Sequence, residues 1–404
     1  MRWIILAGEA LTPLALRKGR NPENMETLNY IPGTVLRGAL AEAHLNLRPG
    51  KKEEFRSFFL EQRVLYGNLM PATFPENELQ DQAAPVNFLP LTAVTCKRCK
   101  GFAFQSRGDK EKHGIRDFLL PKLIFALSGE LNAEPLLQAS DCPDCPSVME
   151  RATGFYRRGF NKREAGQPKI MTAVITRTGI SRKTGTVQEG ILFNREVVEK
   201  GAFFWGYALI EKGILDDWQT FLEEAAGEGM IRVGTGRTSG LGRLSIGVIE
   251  VKNSFDSPAE IKRRCRRFNE LLRSEAKKYR VNLSHSFYLP LTLLSDAIVV
   301  DGALLYRTVL TGNWLEKVLR ANDVQLVYQA AERRRIVGWN SLLGLPRPDE
   351  WGIAMGSVFV YGLSKEPDYE LLWQLQQKGI GERIDEGFGR ICWADRWHEE
   401  VELL

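Results

Sequence analysis

Arg232-Val-Gly-Thr-Gly-Arg-Thr-Ser-Gly-Leu-Gly-Arg-Leu244 sets four glycines and three arginines between two apolar runs. Glycine lacks a Cβ, so its backbone takes positive φ and sits flush against a ligand that a side chain would push away. The pattern predicts a loop that turns the main chain at Gly234, Gly236, Gly240 and Gly242 toward an anion, with the forked donors of Arg237 and Arg243 beside it. Dinucleotide and nucleoside-triphosphate loops follow a strand and open a helix. Here the order is reversed: Leu215, Trp218, Phe221 and Leu222 recur at helical spacing before the loop, and Leu244 to Val251 alternates like a strand after it. The loop joins a helix to a strand, and the plainer alternative is a tight turn without a ligand.

A second copy strengthens the ligand reading. Gly379-Ile-Gly-Glu-Arg-Ile-Asp-Glu-Gly-Phe-Gly-Arg-Ile391 again follows a helical pattern (Leu371, Leu372, Leu375) and precedes a short strand, Ile391-Cys-Trp393. Repetition at this scale points to two related α+β modules, each with its loop before the last strand, as in the β-α-β-β-α-β ferredoxin-like motif. The second loop adds Glu382, Asp385 and Glu386 to Arg383 and Arg390, so Gly387, Gly389 and Arg390 are weaker candidates for an anion contact and partly structural.

The 404 residues suffice for two or three domains, and 44% hydrophobic with 26% charged residues describes an ordinary globular chain. No apolar run approaches the roughly 20 residues that span a bilayer. The N-terminus shows no cleavage-site pattern, so the expectation is a cytoplasmic protein without a membrane partner. A net charge of +5 permits nucleic-acid binding without requiring it.

In Tyr30 to His44, Thr34 is a candidate N-cap. Leu36, Leu40, Ala43 and Leu47 form an apolar face, and Arg37, Ala41, His44 and Arg48 flank it. A helix N-terminus with an arginine one turn in suits an anion; a solvated basic flank explains the same residues.

Ile31-Pro-Gly-Thr-Val-Leu-Arg-Gly-Ala-Leu40, the two glycine loops and Thr178-Gly-Ile-Ser-Arg-Lys-Thr-Gly-Thr-Val-Gln-Glu-Gly-Ile-Leu-Phe193 together resemble the RAMP superfamily of CRISPR-associated proteins. The resemblance is nearest to the Cas-five-like subunit of type III-D effector complexes, the Csx-ten family. It implies tandem ferredoxin-like, RNA-recognition-motif-like domains that hold the 5′ handle of a CRISPR RNA. It also implies a Cas-ten-type large subunit and Cas-seven-like backbone subunits as partners, with target RNA in the assembled complex. The expected boundaries are an N-terminal module over 1–255, a basic linker helix over 256–282 and a C-terminal module over 283–404.

Residues 49 to about 170 exceed a bare module and read as an insertion in the first. Within it, Cys96-Lys-Arg-Cys99 and Cys142-Pro-Asp-Cys145 are spaced as knuckles, and four thiolates complete a tetrahedral structural zinc site. His113 can replace one ligand. The segment Ile115 to Phe125 looks helical and loops out between the knuckles. Cys265 and Cys392 read as packed thiols.

Ile170 to Ile175 and Gly190 to Phe193 bracket a basic tip with Arg182 and Lys183, which predicts a long hairpin; the resemblance implies that the tip touches guide or target RNA, and a disordered, solvated loop is the alternative. Lys262 to Arg267 and Lys277 to Arg280 form a dense basic run that predicts an RNA or acidic-partner surface. Three function classes compete. A non-catalytic RNA-binding scaffold is favoured. A metal-independent, CRISPR RNA-processing endoribonuclease would use His44 as general acid or base. A metal-assisted target-RNA cleaver would need Asp117, Asp144 or Asp301, none of which lies in a motif.

Overall fold

The computed structural model describes residues 1–19, 26–73, 85–103, 111–157, 166–180, 187–320, 322–340 and 344–399. Arg182 and Lys183 lie outside these residues. The chain divides into two compact units, 1–86 with 168–253 and 385–387, and 87–167 with 254–384 and 388–404. Segment 87–167, inserted between parts of the first unit in sequence, therefore packs with the second.

The first unit contains β1 (Arg2–Ala10), α1 (Gly33–Leu47), β2 (Val64–Tyr66), β3 (Thr172–Ile180), β4 (Val187–Val198), β5 (Phe203–Ile210), α2 (Leu215–Gly227) and β6 (Leu244–Lys252). Its antiparallel sheet runs β6-β1-β5-β2, with Met70–Pro71 also pairing to β5. Ile4 and Leu6 of β1 face Leu36 and Leu40 of α1 and Trp218, Phe221 and Leu222 of α2 in one buried core. The alternation seen in the sequence thus becomes an apolar sheet face covered by two apolar helix stripes. β3 and β4 form a separate hairpin.

The cap of α1 differs from expectation. Pro32 stands at the N-cap position, Thr34 lies inside the helix, and the Gly33 N–H donates to Asn68 Oδ1 at 2.8 Å. A carboxamide distant in sequence does what the local threonine was expected to do.

The second unit contains α3 (Pro258–Lys278), β7 (Phe287–Leu293), α4 (Gly312–Leu319), β8 (Gln325–Ala330), β9 (Val358–Leu363), α5 (Tyr369–Lys378) and β10 (Ile391–Trp393). Its antiparallel sheet runs β8-β9-β7-β10. Leaving aside the β3-β4 hairpin and α3, the strands of each main sheet and the helices between them follow in the order strand, helix, strand, strand, helix, strand, and the last strand lies beside the first. α3 starts on a serine N-cap, with Ser257 Oγ accepting from the Glu260 N–H at 3.2 Å.

Two expectations about these segments change. α3 is no surface linker: Ile261 and Cys265 join one buried core of the unit, and Phe268, Leu272 and Ala276 join another. In the second of these they meet the helix Leu119–Leu127 and the face of the sheet formed by Tyr288, Val358 and Val360. Ile115–Asp117 is a strand and only Leu119–Leu127 is helical, because Ile115 to Asp117 pair with Ala93 to Thr95.

Candidate nucleic-acid interface and metal centre

The first glycine loop leaves α2 and enters β6. Gly234, Gly236, Gly240 and Gly242 all have φ between 75° and 90°, the left-handed region that favours glycine. Their surroundings differ. A Cβ on Gly234 would collide with the Ala15 carbonyl, and one on Gly242 with the Val233 carbonyl; a Cβ on Gly240 would meet nothing within 4 Å. Several loop amides serve the fold: Val233 N–H donates to Gly242 O at 2.8 Å, Thr235 N–H to Ala15 O at 3.0 Å and Gly242 N–H to Pro13 O at 3.0 Å. Gly234 and Gly242 are therefore packing glycines, and the outward lip narrows to Thr238, Ser239 and Gly240, which are exposed together with Arg232 and Arg243. Arg237 is only half exposed and ion-paired with Glu42.

The second loop is turned inward. Arg390 is 4% exposed and donates from Nη1 to Gln377 O at 3.0 Å, capping the end of α5. A Cβ on Gly389 would strike the Ile380 carbonyl, and one on Gly387 would lie 2.9 Å from Asn68 Oδ1. Arg383 pairs with Glu350 and lies 4.9 Å over the Phe388 ring. Gly387, Gly389 and Arg390 are packed structural residues here, so this loop offers no open basic lip.

Arg37 is also engaged inside the chain. It donates to Phe59 O and sits 3.4 Å from Asp385 and 3.6 Å from Glu386, all within the first unit. The N-terminal amides of α1 are likewise used by Asn68 and by Pro32 O. The expected anion site at this helix start is filled by the protein's own acceptors.

His44 is fully buried rather than on a solvated flank. The reason is the helix Lys52–Phe59, whose Phe55, Phe58 and Phe59 ring the imidazole together with Phe221, at centroid distances of 5.1 to 5.9 Å. Its Nε2 lies 3.0 Å from Glu54 Oε1, and burial, opposed by Glu54, holds its pKa below the usual histidine value. The sequence showed α1 alone and not what covers it.

The basic run of α3 is largely offset in place. Arg266 bonds Glu366 at 2.8 Å, Arg263 bonds Glu260 at 3.3 Å, and buried Arg264 bonds Asp256 at 2.8 Å and Ala394 O at 2.9 Å.

A candidate metal centre lies in the inserted segment. Cys96, His113, Cys142 and Cys145 place their ligand atoms within 4.8 Å of one another. Cys96 ends a strand, Ala93–Cys96, that pairs with Ile115–Asp117 and Met149–Arg151, so sheet pairing brings His113 and the second knuckle to the first. Cys96 Sγ is 3.7 Å from Cys145 Sγ, and His113 Nδ1 is 3.2 Å from Cys142 Sγ. Tetrahedral thiolates at about 2.3 Å from zinc stand about 3.8 Å apart, so the donor set fits a Cys₃His structural site. His113 thus joins Cys96, Cys142 and Cys145 in this group, while the expected fourth thiol, Cys99, donates its backbone N–H to Cys96 Sγ at 3.3 Å. Burial opposes ionisation of Cys96, but the Cys99 and Arg98 N–H groups outweigh it and bring the thiol down to about 6. Burial and the neighbouring sulfurs push Cys145 up to about 11. Four protein ligands leave no open position for catalysis.

The three aspartates do not form a visible metal set. Asp117 bonds His398 Nδ1 at 2.6 Å and Thr92 at 2.5 Å, Asp301 accepts the Ala303 and Leu305 N–H groups of its own turn, and Asp144 is exposed between the knuckle cysteines. Among the described residues, no helix is long and apolar enough to cross a membrane.

No curated protein matches the chain. A chain of the type III-B Cmr-beta complex, solved by cryo-EM with cognate target RNA and AMPPnP, is 13% identical, with 94% of this chain and 90% of that one covered and a TM-score of 0.43. Oligomeric Cmr4 from Pyrococcus furiosus is 13% identical over 62% of this chain and 100% of its own, with a TM-score of 0.27. Thermus thermophilus Cas6 is 7% identical over 97% of both chains, with a TM-score of 0.33. The family model that matches is that of the RAMP superfamily, over residues 168–245, from the base of the β3-β4 hairpin through the first glycine loop. Over those residues the chain is similar to the RAMP superfamily.

Proposed function

We propose that this chain is a non-catalytic, RNA-binding scaffold subunit of a type III CRISPR effector complex. In this reading the two units are tandem ferredoxin-like domains, and the chain holds the 5′ handle of a CRISPR RNA at one end of the assembly. A Cas-ten-type subunit and Cas-seven-like subunits are its neighbours, and the nearest family is the Cas-five-like, Csx-ten group of type III-D. The observation that carries the reading is the exposed lip Thr238 to Gly240 with Arg232 and Arg243, inside the segment that matches the RAMP superfamily. Backbone phosphates suit such a lip because bare main chain and guanidinium forks recognise charge and shape without base contacts.

The burial of His44 argues for a scaffold over a nuclease. A general acid or base must come within hydrogen-bond reach of the reacting group, and His44 is enclosed by four aromatic rings. The Cys₃His cluster is assigned to zinc as a fold-stabilising ion that crosslinks the inserted segment.

The test is purification with co-expressed neighbouring subunits, followed by sequencing of the RNA that travels with the protein. Enrichment of repeat-derived 5′ ends is expected, and loss of that enrichment in an Arg232→Ala/Arg243→Ala variant. A complex without RNA, or repeat cleavage by the isolated chain that His44→Ala abolishes, contradicts the reading.

A further inference from the structure

The inner face of the β3-β4 hairpin changes character along its length. Arg195 pairs with Ile175, and Val197 with Ala173, so 173, 175, 177, 195 and 197 share one face. Its lower part is apolar: Val197, Ala173 and Ile175 pack with Ala15 and Leu241. Its upper part is Arg195 with its diagonal neighbour Arg177, and there the hairpin meets the glycine loop. Arg177 donates from Nη1 to Ser239 Oγ at 2.5 Å, and a Cβ on Gly236 would lie 2.7 Å from Arg195 Nη1. Gly236 thus leaves room for a guanidinium under the loop.

That guanidinium lacks an acceptor. Arg195 Nε and Nη1 are shut off from solvent and make no hydrogen bond. A buried unsatisfied donor costs about 1–3 kcal/mol, and more when charged. A buried Nε without a partner occurs also at Arg37 and Arg116, but Arg195 leaves two of its nitrogens so; by contrast Arg48 bonds Glu54 and Glu224, Arg63 bonds Glu211, and Arg264 bonds Asp256. Around Arg195 the neighbouring charges are the guanidiniums of Arg17 and Arg177, which add to burial in lowering its pKa. Among the described residues no carboxylate pairs with any of the three.

We propose that Arg195, with Arg177 and Arg17, forms a pocket for a single phosphate beneath the Gly236–Gly240 edge of the loop. The ligand class is a phosphate monoanion or dianion, either a phosphodiester of a bound RNA or free phosphate. Its occupant satisfies Arg195 and screens the mutual repulsion of the three guanidiniums. The RNA source rests on the function proposed above; the phosphate chemistry does not. Arg237, already held by Glu42, is outside the pocket.

The test uses the full chain and two probes: inorganic phosphate, and a fluorescent single-stranded oligouridine. Arg195→Met keeps the volume and removes the orphan charge, and Arg177→Gln is the second variant should the first fail to fold. Phosphate at constant ionic strength is expected to raise the melting temperature of the unmodified chain and leave that of the variant unchanged. Loss of one phosphate contact is expected to lower the log-log salt slope of oligouridine binding by about 0.7. An equal phosphate response in both proteins overturns the pocket. Oligouridine binding with an unchanged slope in the variant overturns it as an RNA contact and leaves the exposed lip as the RNA site. A phosphate response lost in the variant, with no oligouridine bound by the unmodified chain, supports a free-phosphate pocket and contradicts the RNA-binding function.

Discussion

The two glycine loops share a backbone device and differ in the charges set around it. In the first, the lip from Thr238 to Gly240 is open, Arg232 and Arg243 face solvent, and Arg195 beneath it has no acceptor. In the second, Arg390 is buried against Gln377 O, Arg383 is ion-paired with Glu350, and Asp385 and Glu386 face Arg37. Both loops need left-handed glycines to turn from helix to strand; only the first keeps cationic surface after that turn is made. A repeated motif therefore transmits geometry, and the residues around it decide whether geometry becomes a binding site.

The comparison breaks most severely at the metal centre, which belongs to the second unit. Replacing Cys96, His113, Cys142 or Cys145 removes a candidate ligand from a site where a structural metal would contribute on the order of 10 kcal/mol to folding. Hydrogen exchange is expected to show residues 93–151 opening, with the Arg232–Leu244 amides of the first unit unchanged. Cys99→Ser is expected to retain the metal and its thiolate-to-cobalt charge-transfer band after cobalt substitution. Metal loss in Cys99→Ser but not in His113→Ala would restore the four-cysteine site.

The next effect separates the loops by what their arginines do. Arg390→Ala leaves the partly buried Gln377 carbonyl without its charged donor, a loss of about 1.5–3 kcal/mol in denaturant unfolding. The salt slope of RNA binding is expected to stay the same. Arg243→Ala is expected to do the reverse, with unfolding unchanged and the slope lower by about 0.7. Matching behaviour of the two variants would erase the distinction between the loops.

Acidity gives the smallest and most selective contrast. Burial holds His44 below its ordinary pKa, so the first unit has its full stability above the unfolded value of about 6.5 and loses it as pH falls toward the lowered one. His398 is raised: burial opposes protonation, but Asp117 overcomes it. Its contribution is complete below about 6.5 and is lost as pH rises through the raised value. Local unfolding followed by hydrogen exchange across this range is expected to move oppositely around His44 and around His398. Parallel trends would contradict the two assignments.

Much of the architecture was legible because hydrophobic period is local. The strand after each loop, the helices before them and the β3-β4 hairpin follow from spacing alone. What escaped depends on partners distant in sequence. Asn68 rather than Thr34 caps α1, and the phenylalanines of 52–59 bury His44. Sheet pairing carries His113 to Cys142, and a glutamate lies beside most arginines of α3. The three-arginine cluster escaped for the same reason, because Arg17, Arg177 and Arg195 meet only when the hairpin folds over the loop. The acidic content of the second loop was the one sequence signal that its charge differs from the first.

The most direct measurement is photo-crosslinking of the co-purified complex with 4-thiouridine-substituted guide RNA, read by mass spectrometry of the crosslinked peptides. Crosslinks are expected on the peptide containing Thr238 to Arg243 and absent from the one containing Gly387 to Arg390. Crosslinks confined to the second loop, or to neither, would contradict the claim that the first loop grips the RNA backbone.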